Sequence, residues 1–255
     1  MLFSAEKTSK WVKTVFDFIL DLIFPKLCLG CKKEGEYLCM NCFGKIELSK
    51  HQVCPICYKG DSSAVCGACI SSDLYLDGLI CATSFAKNIL LRKCIHVYKY
   101  EFVEELAIPL AKILVLAFMQ LKDNEDCKHF SVICAVPLHP KRLRFRGFNQ
   151  AELLAEEFIK ATHLKFKIIN FVQRIHFRMP QMQLSREMRL KNAENAFVFN
   201  PKYNRNIDSN LPNLPETILL IDDVATTLAT LNSCAKSLKM AGVKKIYGLV
   251  LARVF

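Results

Sequence analysis

Residues 216–230 have the sequence ETILLIDDVATTLAT, and this segment indicates the fold class of the chain. Its four consecutive large apolar residues, Ile218 to Ile221, lie between polar residues, a pattern typical of a buried strand in a parallel sheet. Two carboxylates and a hydroxyl-rich turn follow, and then an amphipathic helical pattern that ends at Gly242. The segment therefore predicts a strand, an acidic pair, a turn and a helix N-terminus, in that order.

This order of elements predicts a binding site for a sugar phosphate. Open α/β sheets bind ligands at the carboxyl ends of their strands, and the free N–H groups of a helix N-terminus attract anions. We expect the turn to hold a phosphate and the two carboxylates to accept hydrogen bonds from vicinal hydroxyls, as a ribose 5-phosphate requires. The alternative is that the carboxylates only cap the helix. The predicted ligand-binding residues are Asp222, Asp223, Ala225, Thr226, Thr227, Leu228, Ala229 and Thr230.

A second group of candidate residues follows another buried strand, at Val132 to Val136. We interpret residues 137–147 as a basic loop whose cations bind pyrophosphate or a nucleic-acid backbone. If the two strands are neighbours, both loops lie side by side at the same edge of the sheet. A solvated basic loop without a ligand is the alternative. The four cations are Lys141, Arg142, Arg144 and Arg146.

Eight of the 13 cysteines form four C-x-x-C pairs before residue 70. The odd total and the clustering argue against disulfides and favour metal in a reducing compartment. Two such pairs make a Cys₄ site that suits Zn²⁺, and four thiolate ligands leave no open position, so the metal is structural. Sequential pairing of the knuckles gives two zinc ions, and a cross-braced pairing is also compatible. The predicted ligands are Cys28, Cys31, Cys39, Cys42, Cys54, Cys57, Cys66 and Cys69.

Strands and helices alternate from about residue 75 onward, which predicts an α/β fold with a largely parallel sheet and helices on both faces. We expect three segments: an amphipathic helix within residues 1–24, a double zinc-ribbon module over 25–72, and an α/β domain over 73–255. The helix is expected to pack on its own protein, with anchoring at a membrane surface as the alternative. A long basic segment between strands at 168–172 and 196–199 is predicted to be a mobile lid.

The amino-acid composition is that of a globular, basic protein. Hydrophobic residues make up 52% and charged residues 23% of the 255 residues, as in an ordinary globular protein with a core. The formal net charge of +11 favours phosphorylated ligands or nucleic acid as partners. No apolar stretch reaches membrane-spanning length, and the N-terminus lacks a secretory pattern, so we expect a cytoplasmic protein.

The motifs resemble known families. The string from Ile221 to Thr227 is similar to the ribose-phosphate signature of type I phosphoribosyltransferases. Together with the Cys₄ knuckles and the segment RFRGFNQ at residues 144–150, it resembles the ComF family of competence-associated proteins. The likeness covers roughly residues 24–252, nearly the whole chain.

The resemblance implies a zinc ribbon fused to a type I phosphoribosyltransferase fold. It implies that Asp222 and Asp223 hold the ribose hydroxyls of phosphoribosyl pyrophosphate, with residues 225–230 at the 5-phosphate and 138–146 at the pyrophosphate. It further implies a role in natural transformation, with single-stranded DNA and a helicase as partners. Two alternatives remain: an active phosphoribosyltransferase that uses Mg²⁺ and an unidentified acceptor, and a catalytically dead zinc-dependent interaction module.

Leu228 departs from the ribose-phosphate signature, which usually has glycine at this position. Glycine lets the backbone approach a phosphate closely or adopt a positive φ angle, and leucine does neither cheaply. The sequence therefore predicts a weakened phosphate turn, which favours the dead interaction module among the alternatives.

Overall fold

The computed structural model describes residues 25–60, 62–71, 73–120, 130–176, 196–203 and 214–254. The chain divides into two compact units between Ile46 and Glu47. The predicted N-terminal helix and most of the predicted lid, residues 177–195, lie outside the described residues. The predicted boundaries of the three sequence segments stay predictions. In the part of the chain that is described, no helix has both the length and the apolar character needed to cross a membrane.

The second unit is built on a five-stranded parallel sheet. Its strands are β1 (Gly78–Ser84), β2 (Val132–Ala135), β3 (Lys167–Ile168), β6 (Thr217–Ala225) and β7 (Lys245–Arg253). They are arranged in the order β1-β7-β6-β2-β3, so β6 lies at the centre of the sheet. A separate antiparallel pair consists of β4 (Val172–Arg174) and β5 (Phe197–Phe199). The predicted parallel sheet is confirmed.

Helices cover both faces of this sheet. The first unit contains α1 (Met40–Phe43). The described α-helices of the second unit are α2 (Ile89–Tyr100), α3 (Ala107–Met119), α4 (Pro140–Arg146), α5 (Gln150–Thr162) and α6 (Ala229–Met240). Ile218 and Leu220 of β6 share a core cluster with Leu231 of α6. Leu219 and Ile221 point to the opposite face of the sheet and are fully buried. On that face α5 packs against β6 and against α3.

Three predicted boundaries are wrong. Strand β6 continues through Ala225, because its pairing with β7 runs on as far as Ala225 and Arg253, and the acidic pair is therefore part of the strand. The predicted strand Ile168 to Val172 is split between β3 and β4. The predicted basic loop contains the helix α4.

Helix α4 begins and ends at local signals. The side chain of His139 caps the helix by accepting a hydrogen bond from the backbone N–H of Lys141, at 3.1 Å from Nδ1. Pro140 occupies the first turn, where its missing N–H costs nothing, and Gly147 ends the helix with a φ of 85°. The cations of this segment are therefore placed on a helix rather than on an irregular loop.

Candidate functional site

A cleft of about 1300 Å³ lies at the carboxyl ends of β2 and β6. The ends of these strands, α2, α4 and the first turn of α6 contribute its lining, so the two predicted sites lie side by side. Thr227 and Arg144 are not among the lining residues. The predicted site residues that line the cleft are Lys141, Arg142, Arg146, Asp222, Asp223, Ala225, Thr226, Leu228, Ala229 and Thr230.

The two carboxylates sit in different surroundings, because consecutive residues of a strand alternate between its faces. Asp223 is buried and forms an ion pair with Lys99 of α2, with 2.7 Å between Nζ and Oδ1. Asp222 accepts a hydrogen bond from the backbone N–H of Asp223 at 2.8 Å. Burial, and then the negative charge of Asp223, raise the pKa of Asp222 from its ordinary 3.8 to about 7.

This raised pKa predicts a pH-dependent stability. Between about pH 4 and pH 7 the folded state keeps a proton that the unfolded chain has released, so the free energy of unfolding falls as the pH rises. Asp222→Asn should remove that slope and stabilise the fold above pH 7 by up to about 4 kcal/mol, the full value of a shift from 3.8 to about 7. Thermal unfolding at about pH 5 and about pH 8 measures the effect. Asp73→Asn, at an exposed carboxylate, is the matched control, and the same pH dependence in wild type and Asp222→Asn would contradict the assignment.

Leu228 occupies the turn between β6 and α6 in the left-handed conformation that glycine favours, with a φ of 63° and a ψ of −5°. This conformation costs a leucine about 1–2 kcal/mol. The side chain is only 6% exposed and belongs to the core cluster, and its burial contributes about 2 kcal/mol in return. The backbone of the turn therefore adopts the conformation typical of glycine with leucine in place, and the expected weakening of phosphate binding by Leu228 stays a prediction.

The other wall of the cleft is strongly basic. Seven basic side chains line the cleft against two carboxylates: Arg92, Lys93, Lys99, Lys141, Arg142, Arg146 and Arg174. Burial and the nearby charge of Arg146 lower the pKa of Arg142. This excess of positive over negative side chains in the lining suits a ligand with more than one phosphate.

Gln150 is a candidate ligand-binding residue that the sequence identifies only as the last residue of the segment RFRGFNQ. Its Oε1 accepts a hydrogen bond from Nη1 of Arg146 at 2.6 Å, and its buried Nε2 has no partner among the described residues. The Tyr98 hydroxyl donates to the Gln150 carbonyl at 2.9 Å and so joins α2 to α5. Gln150 thus orients one cation and offers an N–H donor to a ligand in the cleft.

Lys99 and Arg174 were also missed as site residues. Neither residue belongs to the groups of candidate site residues that the sequence predicts. Both reach the cleft through long-range packing, since Lys99 pairs with Asp223 and Arg174 is on the separate β4–β5 pair. Both residues are far from the acidic pair in sequence, so no local sequence pattern predicts that they lie in the same cleft.

The eight knuckle cysteines form two Cys₄ clusters. Cys28, Cys31, Cys39 and Cys42 make up the first, and Cys54, Cys57, Cys66 and Cys69 the second, with all Sγ atoms of a cluster within 4.8 Å of one another. The pairing is therefore sequential, and the cross-braced alternative is excluded.

The sulfur geometry fits zinc. The Sγ–Sγ distances are 3.6 Å for Cys28–Cys39 and Cys31–Cys39 and 3.7 Å for Cys57–Cys66. A tetrahedral zinc with bonds of about 2.3 Å to sulfur requires about 3.8 Å between its ligands. Each cluster therefore holds a structural zinc ion with four protein thiolates.

The second cluster belongs to the same compact unit as the sheet. We refer to the segment that carries it, Cys54 to Cys69, as the second ribbon. Backbone N–H groups of Val65 and Leu79 donate to the carbonyls of Asp77 and Ser63, each at 2.8 Å, and join the ribbon to the start of β1. Further along, the Gln52 amide exchanges two hydrogen bonds with the backbone of Cys81, at 2.9 and 3.1 Å. The second ribbon therefore covers the edge of the sheet at β1.

The chain is similar to one protein family in its cysteine-rich segment and to several known proteins over most of its length. Residues 19–70 match the double zinc ribbon domain family. The chain is 29% identical over 233 residues to Competence protein F of Haemophilus influenzae, covering 86% of this chain and 97% of that protein. It is 26% identical over 238 residues to the DNA utilization protein YhgH of Escherichia coli K12, covering 91% and 99%. Competence protein ComFC of Bacillus subtilis is 26% identical over 215 residues, covering 82% and 81%.

Proposed function

The chain belongs to the ComF family, and from that premise we propose that it acts in DNA uptake by binding phosphoribosyl pyrophosphate and single-stranded DNA. The names of its relatives, competence proteins and DNA utilization proteins, support the biological role. The cleft supports the chemistry. In this proposal the protein works beside a helicase of the uptake machinery, and binding rather than turnover is its first task.

One observation carries the proposal: an acidic strand end, a phosphate-type turn and a basic helix line a single cleft. The N-terminus of α6 offers backbone N–H groups to a 5-phosphate, and Thr226 and Thr230 add hydroxyl donors beside it. The carboxylates accept hydrogen bonds from the ribose hydroxyls. Arg142 and Arg146 receive the pyrophosphate, for which guanidinium groups offer paired donors.

The ion pair of Lys99 and Asp223 sets a condition on binding. A ribose hydroxyl that donates to Asp223 shares this carboxylate with the ammonium group, and the ion pair holds the carboxylate in place at the cleft. Asp222, whose pKa is near 7, becomes a full acceptor only as it ionises. Mg²⁺ is a suitable companion, because it neutralises pyrophosphate oxygens and binds carboxylates such as Asp222. Affinity should therefore rise with pH through neutrality.

Calorimetric titration of phosphoribosyl pyrophosphate with Mg²⁺ tests the proposed site. Wild type should bind in the micromolar range, and Asp223→Asn should weaken binding by about 100-fold, because an amide replaces a charged acceptor and loses the ion pair with Lys99. Asp73→Asn, which makes the same change of charge on the exposed surface, should bind like wild type. A melting temperature for Asp223→Asn near that of wild type shows that the variant is folded. Equal affinity of Asp223→Asn and wild type, or no binding by wild type, would overturn the proposed site.

A further inference from the structure

The mouth of the cleft carries three exposed aromatic side chains. Phe145 is 82% exposed, Tyr100 46% and Phe102 38%, and all three line the cleft. Single exposed apolar side chains are common on protein surfaces, whereas a cluster at one site indicates a binding surface. The rings of Phe102 and Phe145 meet edge to face, with centroids 5.9 Å apart. We refer to Phe102, Phe145 and Tyr100 as the aromatic rim.

Phe102 adopts a conformation that is unfavourable for its residue type. Its φ angle is 59°, in the left-handed region, at a cost of about 1–2 kcal/mol for a residue other than glycine. Strained residues of this kind concentrate at ligand sites, and this one brings its ring against Phe145.

Cations lie next to these rings. The Arg146 guanidinium is 5.8 Å from the centroid of the Tyr100 ring, and Arg142 lies on the same short helix as Phe145. Exposed rings interleaved with cations are what a single strand of nucleic acid requires, because its bases stack on rings while its phosphates contact the basic groups. A free nucleobase has no phosphates for these cations, and an apolar protein segment offers them no negative charge.

We propose that the aromatic rim stacks unpaired bases of single-stranded DNA, while Lys141 and Arg144, the exposed cations of α4 that are not assigned to the pyrophosphate, contact the phosphates of the same strand. This inference rests on the proposed function, since it assigns to a surface the DNA binding that the proposal includes. Phe145 is the main stacking ring because it is the most exposed, and Phe102 supports it at its edge. Duplex DNA should bind less tightly, because its bases are already stacked on one another.

Fluorescence anisotropy with a labelled oligothymidylate of about 20 nucleotides tests the inference on the full-length protein. Phe145→Ala should weaken binding about ten-fold, within the range expected for one stacked base, and Phe145→Trp should restore it. The dependence of affinity on salt should be the same in wild type and Phe145→Ala, because no charge is removed. Met240→Ala, at an exposed apolar side chain that does not line the cleft, is the control and should bind like wild type.

The possible outcomes separate the inference from the proposed function. Binding by wild type that Phe145→Ala leaves unchanged would overturn the aromatic rim and leave DNA binding in place. A flatter salt dependence in Phe145→Ala would also overturn it, because the variant would then have lost phosphate contacts rather than stacking. No binding of the oligonucleotide by wild type would overturn both. Since Phe145 is exposed, the variants should keep the melting temperature of wild type.

Discussion

Cys66→Ser should destabilise the whole sheet-containing unit, whereas Cys39→Ser should leave that unit folded. The two cysteines occupy equivalent positions, since the backbone N–H of Cys39 donates to Sγ of Cys28 at 3.5 Å and that of Cys66 to Sγ of Cys54 at 3.4 Å. Each substitution removes one of four zinc ligands. The difference is that Cys66 lies in the same compact unit as the sheet and Cys39 does not.

The physical reason lies in the contacts of the second ribbon. A structural zinc contributes about 10 kcal/mol or more to the folding of a small segment, so losing it should unfold the ribbon. The hydrogen bonds from Val65 to Asp77, just before β1, and from Gln52 to Cys81 in β1 would then be lost. The contact between the Tyr58 ring and the Arg253 guanidinium, 4.6 Å from the ring centroid, would be lost as well. β1 would become an unprotected edge strand.

Zinc content and thermal unfolding together measure this prediction. Both variants should fall from two bound zinc ions to one. The main unfolding transition should drop by at least about 10 °C in Cys66→Ser and by less than about 2 °C in Cys39→Ser. Limited proteolysis should cut Cys39→Ser only within its first unit. Equal shifts in the two variants would show that the second ribbon does not support the sheet.

Gly78→Ala should destabilise the same unit by about 3 kcal/mol, because the first residue of β1 has no room for a side chain. A Cβ atom at this position would lie 2.3 Å from Cε1 of Tyr247 and 2.6 Å from the backbone carbonyl oxygen of Ser63. Tyr247 is buried in β7, and the Ser63 carbonyl accepts a hydrogen bond from Leu79, so neither group moves freely. The ribbon and the sheet would have to separate.

Chemical denaturation measures the free energy of unfolding of Gly78→Ala, and Gly67→Ala is the matched control. Gly67 lies in the second ribbon, and a Cβ added there meets nothing within 4 Å, so its substitution should change stability by less than about 0.5 kcal/mol. Zinc content should stay at two ions in both variants. A Gly78→Ala protein as stable as wild type would mean that the ribbon is packed less tightly on β1 than these distances indicate.

The parts of the fold that the sequence predicted correctly are those with strong local signals. The apolar run Ile218 to Ile221 lies in a central strand, and the amphipathic pattern after it forms a helix that buries Leu231, Cys234, Ala235 and Leu238. The four C-x-x-C pairs predicted the zinc clusters because ligand spacing is a local property. What the sequence left open, sequential or cross-braced pairing, depends on the path of the chain between the knuckles.

The features that sequence analysis missed depend on tertiary structure. The sequence predicts a loop where helix α4 forms, because four cations and Pro140 in a short segment are typical of a loop. The helix has only two turns, and its cap is a histidine side chain, which is not a usual capping residue. Lys99 had no signal because its partner, Asp223, lies more than a hundred residues further along. Local preference disfavours the positive φ angle of Leu228, and burial of its side chain, a tertiary effect, offsets that preference.

The position of β1 has a consequence for biosynthesis. This strand is the first of the sheet to be made, and the strand it pairs with, β7, is the last. As the ribosome delivers the chain from its N-terminus, the second ribbon can bind its metal early, but β1 must wait for nearly all of the remaining chain before its neighbour arrives. A ribbon that already holds zinc along β1 would shield the waiting edge from other nascent chains during that interval.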